Sequence, residues 1–90
     1  MTIEVHVPRV LSPIVGDHLH GTIEVDERSQ IRAALEQTWP GLANHLFDAS
    51  GVMRPHVLCF VDDAADRLES DGSDIRDGSE IRFVQAVSGG

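Results

Sequence analysis

The spacing of apolar residues in this chain begins at two, lengthens to that of a helix, and returns to two. That order leaves few ways to build a core. In "TIEVHV", Ile3, Val5 and Val7 alternate with Thr2, Glu4 and His6, as in a strand with one buried face, and Pro8 limits its far end. "GTIEV" repeats the alternation with Ile23 and Val25. Between them, "PRVLSPIVGDHLHG" holds two Pro and two Gly and reads as a long turn or loop, so the first two strands are expected to pair as a hairpin.

In "DERSQIRAALEQTW" the stripe Ile31, Ala34, Leu35 and Thr38 predicts a helix, with Arg32, Glu36 and Gln37 turned away. Asp26 or Ser29 is expected to cap it, Glu27 suits the positive end of its dipole, and Pro40 ends it. Leu42 and Leu46 predict one further short turn. "DASGVMRP" is a loop. "HVLCFV" is short, almost continuously apolar and rich in Val and Phe, which favours a strand. "RLESDGSDIRDG" is polar and turn-rich, with Leu68 and Ile75 as anchors. In the last strand, "SEIRFVQAV", Ile81 and Phe83 alternate with Arg82 and Val84.

Strand, strand, helix, strand, polar turns, strand gives an α+β domain: a mixed four- to five-stranded sheet with one main helix packed on one face. A right-handed crossover brings the final strand beside the first, which is the β-grasp arrangement. Ninety residues make one domain that buries only about 60 to 65 per cent of its unfolded surface, so residues 1–86 are expected to fold around a small core. Residues 87–90 are expected to form a flexible tail.

Fifteen acidic residues against seven basic ones give a formal charge of -8, which repels nucleic-acid phosphates. All seven basic residues are Arg, which argues against lysine-linked polymers of the chain itself. The single Cys59 lacks an internal disulfide partner, and no apolar run approaches the roughly 20 residues of a membrane span. A cytoplasmic protein, with neither membrane nor nucleic acid as partner, is expected.

The strand order, "RPHVLCFVDD", "IRDGSEIRF" and the terminal "AVSGG" together resemble the small ubiquitin-like sulfur-carrier proteins of the MoaD/ThiS/CysO family. The resemblance runs from "IEVHVP" to Gly90 and is nearest to the CysO branch. Its most specific part is a D-G-x-x-[IV] turn, a strand, and a small residue before Gly-Gly, here Asp77, Gly78, Ile81, Ser88, Gly89 and Gly90. Two positions depart from the pattern. Gln85 stands where the family usually has Pro, and Asp63 where an Asn-Gly or Asn-Asp pair is common.

The resemblance implies a carrier and not an enzyme. An ATP-using, E1-like activating enzyme of the MoeB/ThiF type would adenylate the Gly90 carboxylate. Sulfur from a donor or sulfurtransferase would then convert it to a thiocarboxylate, which passes sulfur to an accepting synthase in the biosynthesis of cysteine or a related metabolite. No cofactor is expected on the chain itself. Glycine has no Cβ, so Ser88 and Gly89 suit a tail that threads a narrow site, and five extended residues from Ala86 reach about 18 Å. A mobile tail orders only on docking, so the folded body must supply binding energy. Leu58, Phe60, Arg82 and Val84 are the expected docking residues, because a sheet covered on one side leaves its outward apolar residues uncovered. The alternatives are a MoaD-like small subunit of molybdopterin synthase, a ubiquitin-like covalent modifier, and a noncovalent adaptor.

Other candidate sites carry less. Cys59 in an apolar strand reads as core. His18 and His20 in "HLH" lack further ligands at metal-binding spacing. The acidic stretch "DDAADRLESDGSDIRDG" lacks the D-x-D-x-D-G order of a calcium loop and reads as solvated turns. Trp39 reads as a seal at the helix end. No catalytic triad, nucleotide-binding glycine loop or carboxylate pair can be placed.

Overall fold

A computed structural model describes residues 1–68 and 74–85. The strands are β1 (Thr2–His6), β2 (His20–Glu24), β3 (Val57–Val61), β4 (Ala64–Ala65) and β5 (Glu80–Gln85). They form one sheet in the order β2-β1-β5-β3-β4. β1 and β2 pair antiparallel as a hairpin, β5 lies parallel to β1, and β3 lies antiparallel to β5. The last strand thus sits beside the first, in the centre.

The helices are α1 (Ser12–Val15), α2 (Ile31–Thr38) and α3 (Leu42–Leu46). The core lies between them and one sheet face, where Ile3, Val5, Val61 and Ile81 meet Ile31, Leu35 and Leu42, all 0% exposed. Alternation sets this division: each inward residue of β1, β3 and β5 is followed by an outward one. Leu68 is buried and Ile75 packs against the core, so both anchors of the polar stretch are where the pattern puts them.

The segment read as a loop after β1 contains two helical turns, a 3₁₀ turn at Arg9–Leu11 running into α1. Pro13 is tolerated because it lies in the first turn of α1, and Leu11 and Val15 reach the core. The start of the main helix is held differently from the expected Asp26 or Ser29 cap. A 3₁₀ turn at Arg28–Gln30 leads in, and the Gln30 Oε1 reaches back to accept the Asp26 N–H at 2.6 Å. Thr38 is exposed, its hydroxyl donating to the Ala34 carbonyl, while Trp39 fills the inward position that follows. Glu36 turns from the core and serves the next helix instead, accepting the backbone N–H groups of Gly41 (2.7 Å) and Ala43 (3.1 Å) at the start of α3.

In the described part of the acidic stretch, the residues before 69 are more ordered than solvated turns; residues 69–73 lie outside the described residues. Val61 and Ala64 pair across a two-residue hairpin in which Asp62 and Asp63 both have positive φ, 49° and 71°. Asp66 is buried, and its side chain accepts both Nη groups of Arg28, at 2.7 and 3.1 Å.

Candidate functional site

The candidate site begins with the Asp77-Gly78 turn that launches β5. Gly78 has φ 88°, a left-handed conformation that favours glycine. Asp77 Oδ1 accepts the Thr2 N–H at 2.7 Å, and the Gly78 N–H donates to the Thr2 carbonyl at 2.8 Å. The Glu4 N–H then donates to the Ser79 carbonyl at 2.9 Å. These three bonds fix the register of β5 on β1, pairing Glu4 with Glu80 and His6 with Arg82.

The other side of the turn is tied to the β3–β4 hairpin. Asp62 Oδ1 accepts the Glu80 N–H at 2.9 Å, and Oδ2 accepts the Ser79 hydroxyl at 2.8 Å. The Glu80 N–H bond, followed by the Ser79 hydroxyl, holds the Asp62 carboxyl below its ordinary 3.8. Ser79 is buried and its Oγ also accepts the Arg76 N–H. Among the described residues no buried side-chain N or O lacks a hydrogen-bond partner.

With β5 so placed, its outward residues lie between those of β1 and β3. Ile81 and Phe83 face the helices; Arg82 and Val84 face solvent. On β3 the inward set is Val57, Cys59 and Val61, which buries the Cys59 thiol and turns Leu58 and Phe60 outward. Leu58 pairs with Val84 and Phe60 with Arg82. Leu58 is 47% exposed and Val84 38%, an adjoining apolar pair on the side away from the helices, with half-buried Phe60 beside it. The four residues expected to dock a partner therefore form one patch. It lies next to Gln85, the last described residue; Ser88, Gly89 and Gly90 lie outside the described residues.

Sequence reading did not anticipate what adjoins this patch. His20, His6, Arg82, Phe60 and Ala65 are successive register partners, so they form one row across all five strands. The His6 and His20 rings stack with centroids 4.7 Å apart. His6 Nε2 lies 2.8 Å from Glu80 Oε1, His20 Nε2 lies 3.8 Å from Glu4 Oε1, and Arg82 also reaches within 3.8 Å of Glu80. Alternation marked Glu4, His6 and Arg82 as outward, whereas His20, read as loop, is the first residue of β2; the pattern carries no information about which residues of distant strands become neighbours. The described residues contain no cluster of three or more His, Cys, Asp or Glu placed to hold a metal ion.

By sequence the chain matches no family model and no curated protein. By structure it resembles SAMP1 from Haloferax volcanii, with a TM-score of 0.81 at 22% identity over 100% of both chains. It also resembles Mycobacterium tuberculosis CysO, an antigen, with a TM-score of 0.77 at 24% identity over 94% of this chain and 99% of that one. A chain of the Amycolatopsis orientalis BexX/CysO complex gives 0.78 at 19% identity, over 98% and 99%. The sheet order, the central parallel pair and these superpositions agree on one architecture: the chain has the ubiquitin-like β-grasp fold of SAMP1 and CysO.

Proposed function

We propose that the chain is a sulfur carrier whose reactive atom is the carboxyl carbon of Gly90. A carboxylate resists nucleophiles because it is negatively charged and has no good leaving group. An E1-like enzyme of the MoeB/ThiF type would therefore join it to the AMP portion of ATP, releasing pyrophosphate. Sulfide, or a persulfide followed by reduction with a thiol, then displaces AMP and leaves a thiocarboxylate. That sulfur is passed to an accepting synthase, in the biosynthesis of cysteine or a related metabolite. ATP belongs to the activating partner, and the setting is the cytoplasm. Among the described residues no helix is long and apolar enough to cross a membrane.

The observation that carries this reading is the exposed Leu58–Val84 pair, set against Arg82 and Phe60 on the strand that leads into "AVSGG". A tail delivered to another protein's catalytic site needs a rigid surface beside it for recognition. The likeness to CysO in fold supports the same reading, as does a CysO that was crystallised in a complex with BexX. The test is intact-mass measurement after incubation with the activating enzyme of the same organism, ATP and a sulfur source. One oxygen replaced by sulfur is expected, and deleting Gly90 or adding a residue after it should abolish the change.

One observation favours a second reading. The SAMP1 fold fits over the whole chain, and one structure of that protein names it small archaeal modifier protein 1. As a covalent modifier, this chain would end in an isopeptide bond from Gly90 to a lysine of another protein, since it has no lysine of its own. Gly90–lysine branched peptides in cell digests would decide for it. A small subunit that stays bound to its synthase would instead copurify with that partner.

A further inference from the structure

Two imidazoles stand beside the apolar patch. His6 is 33% and His20 53% exposed at the side chain, their rings are stacked, and each lies near a carboxylate, Glu80 for His6 and Glu4 for His20. Among the described residues the charged groups facing them are few. β1 contributes Glu4, β5 contributes Glu80 and Arg82, and the loop ahead of β2 holds exposed Asp17 and His18; Glu24, bound by the Thr2 hydroxyl, lies at the far end of β2. β3 faces the row with the apolar Leu58 and Phe60.

With neutral imidazoles the two carboxylates beside them, Glu4 and Glu80, outnumber the Arg82 guanidinium, so this half of the face is acidic. Protonating both rings reverses that excess. It also converts the two His–Glu contacts into internal ion pairs and sets two cations within stacking distance, which drives the rings apart. The apolar half is indifferent to these changes. An excess of carboxylates beside an apolar patch complements a partner surface that presents arginine or lysine around an apolar centre.

Resting on the carrier reading above, we propose that the outward sheet face is a two-part docking surface. Its Leu58–Phe60–Val84 half gives apolar contact. Its Glu4–His6–His20–Glu80 half binds cationic side chains of the activating enzyme while the imidazoles are neutral, and releases them when the imidazoles gain protons. Imidazoles in general change charge between about pH 5 and 8, so docking weakens as the medium acidifies through that range.

The test is calorimetric titration of the full chain into the MoeB/ThiF-type enzyme of the same organism, with a chelator present to remove metal ions. Affinity is expected to fall on the order of tenfold from about pH 7.5 to about pH 5.5, and to be salt-sensitive mainly at the higher pH. The double variant His6→Gln/His20→Gln faces solvent and keeps the core, and circular dichroism verifies its fold. It should bind with affinities that differ by less than about twofold between the two pH values. Equal affinity of the unmodified chain at both pH values, or an undiminished pH dependence in the double variant, overturns the inference alone. An absence of binding at both pH values, with no thiocarboxylate formed, overturns the carrier reading and the inference with it.

Discussion

At the scale of single residues, the two aspartates of the β3–β4 hairpin have opposite value. Asp63 has φ 71°, which an L side chain adopts at a cost, and its side chain is exposed. Asp63→Gly should stabilise the domain by about 0.5–1 kcal/mol, raising the melting temperature by roughly 2–8 °C. An unchanged or lower midpoint in thermal unfolding would contradict this. Asp62 also has positive φ, but its carboxylate binds Glu80 and Ser79. Its pKa is lowered in the folded chain, so its contribution is complete above 3.8, the ordinary value, and is lost as pH falls through the lower folded value. Asp48, lowered by the Ser50 hydroxyl and the Val52 N–H, acts in the same direction. Asp62→Asn keeps the shape and removes the titration. The stability gap between it and the parent, read by urea unfolding, should therefore be constant above about pH 5 and narrow below about pH 4. The sequence placed both aspartates in an acidic, solvated stretch and did not say which would be bound, since Ser79 and Glu80 meet Asp62 only in the folded chain.

At the scale of elements, periodicity located β1, β2, α2 and β5, because each is long enough to repeat its pattern, and a short apolar run rich in Val and Phe located β3. Periodicity missed α1 and β4 for a common reason. Four residues make one helical turn and two residues make no alternation, so neither displays a period. The contact between α2 and β2 was equally hidden. Gly21 lies under the Trp39 ring, and a Cβ added there would come within 2.8 Å of the ring's Cζ2. Trp39 is 6% exposed and has little room to retreat. Gly21→Ala should destabilise the domain by about 1–3 kcal/mol. The check is chemical denaturation together with the near-ultraviolet signal of this sole tryptophan; full stability with an unaltered signal would show that the ring moves freely.

At the scale of the whole molecule, the division of labour between the two faces of the sheet was legible in advance. "HVLCFV" must turn one apolar set outward, and the structure exposes Leu58 beside Val84. The polar half of that face was not legible, because the row from His20 to Phe60 depends on pairings between strands far apart in the chain. Under the proposed carrier function, Phe60→Ser with Val84→Ser should leave the fold intact and weaken docking to the proposed activating enzyme on the order of tenfold or more. Undiminished adenylation by that double variant, measured as pyrophosphate exchange, would remove the patch from the recognition surface.

β5 is clamped between a parallel and an antiparallel neighbour, and the direction of the parallel pair has a mechanical consequence. Tension between the start of β1 and the exit from β5 pulls these strands along each other, so their ladder bonds bear the load together and do not peel away in turn. A single-molecule pull between residues 1 and 85 should rupture at a higher force than one that grips the β2 edge crosswise.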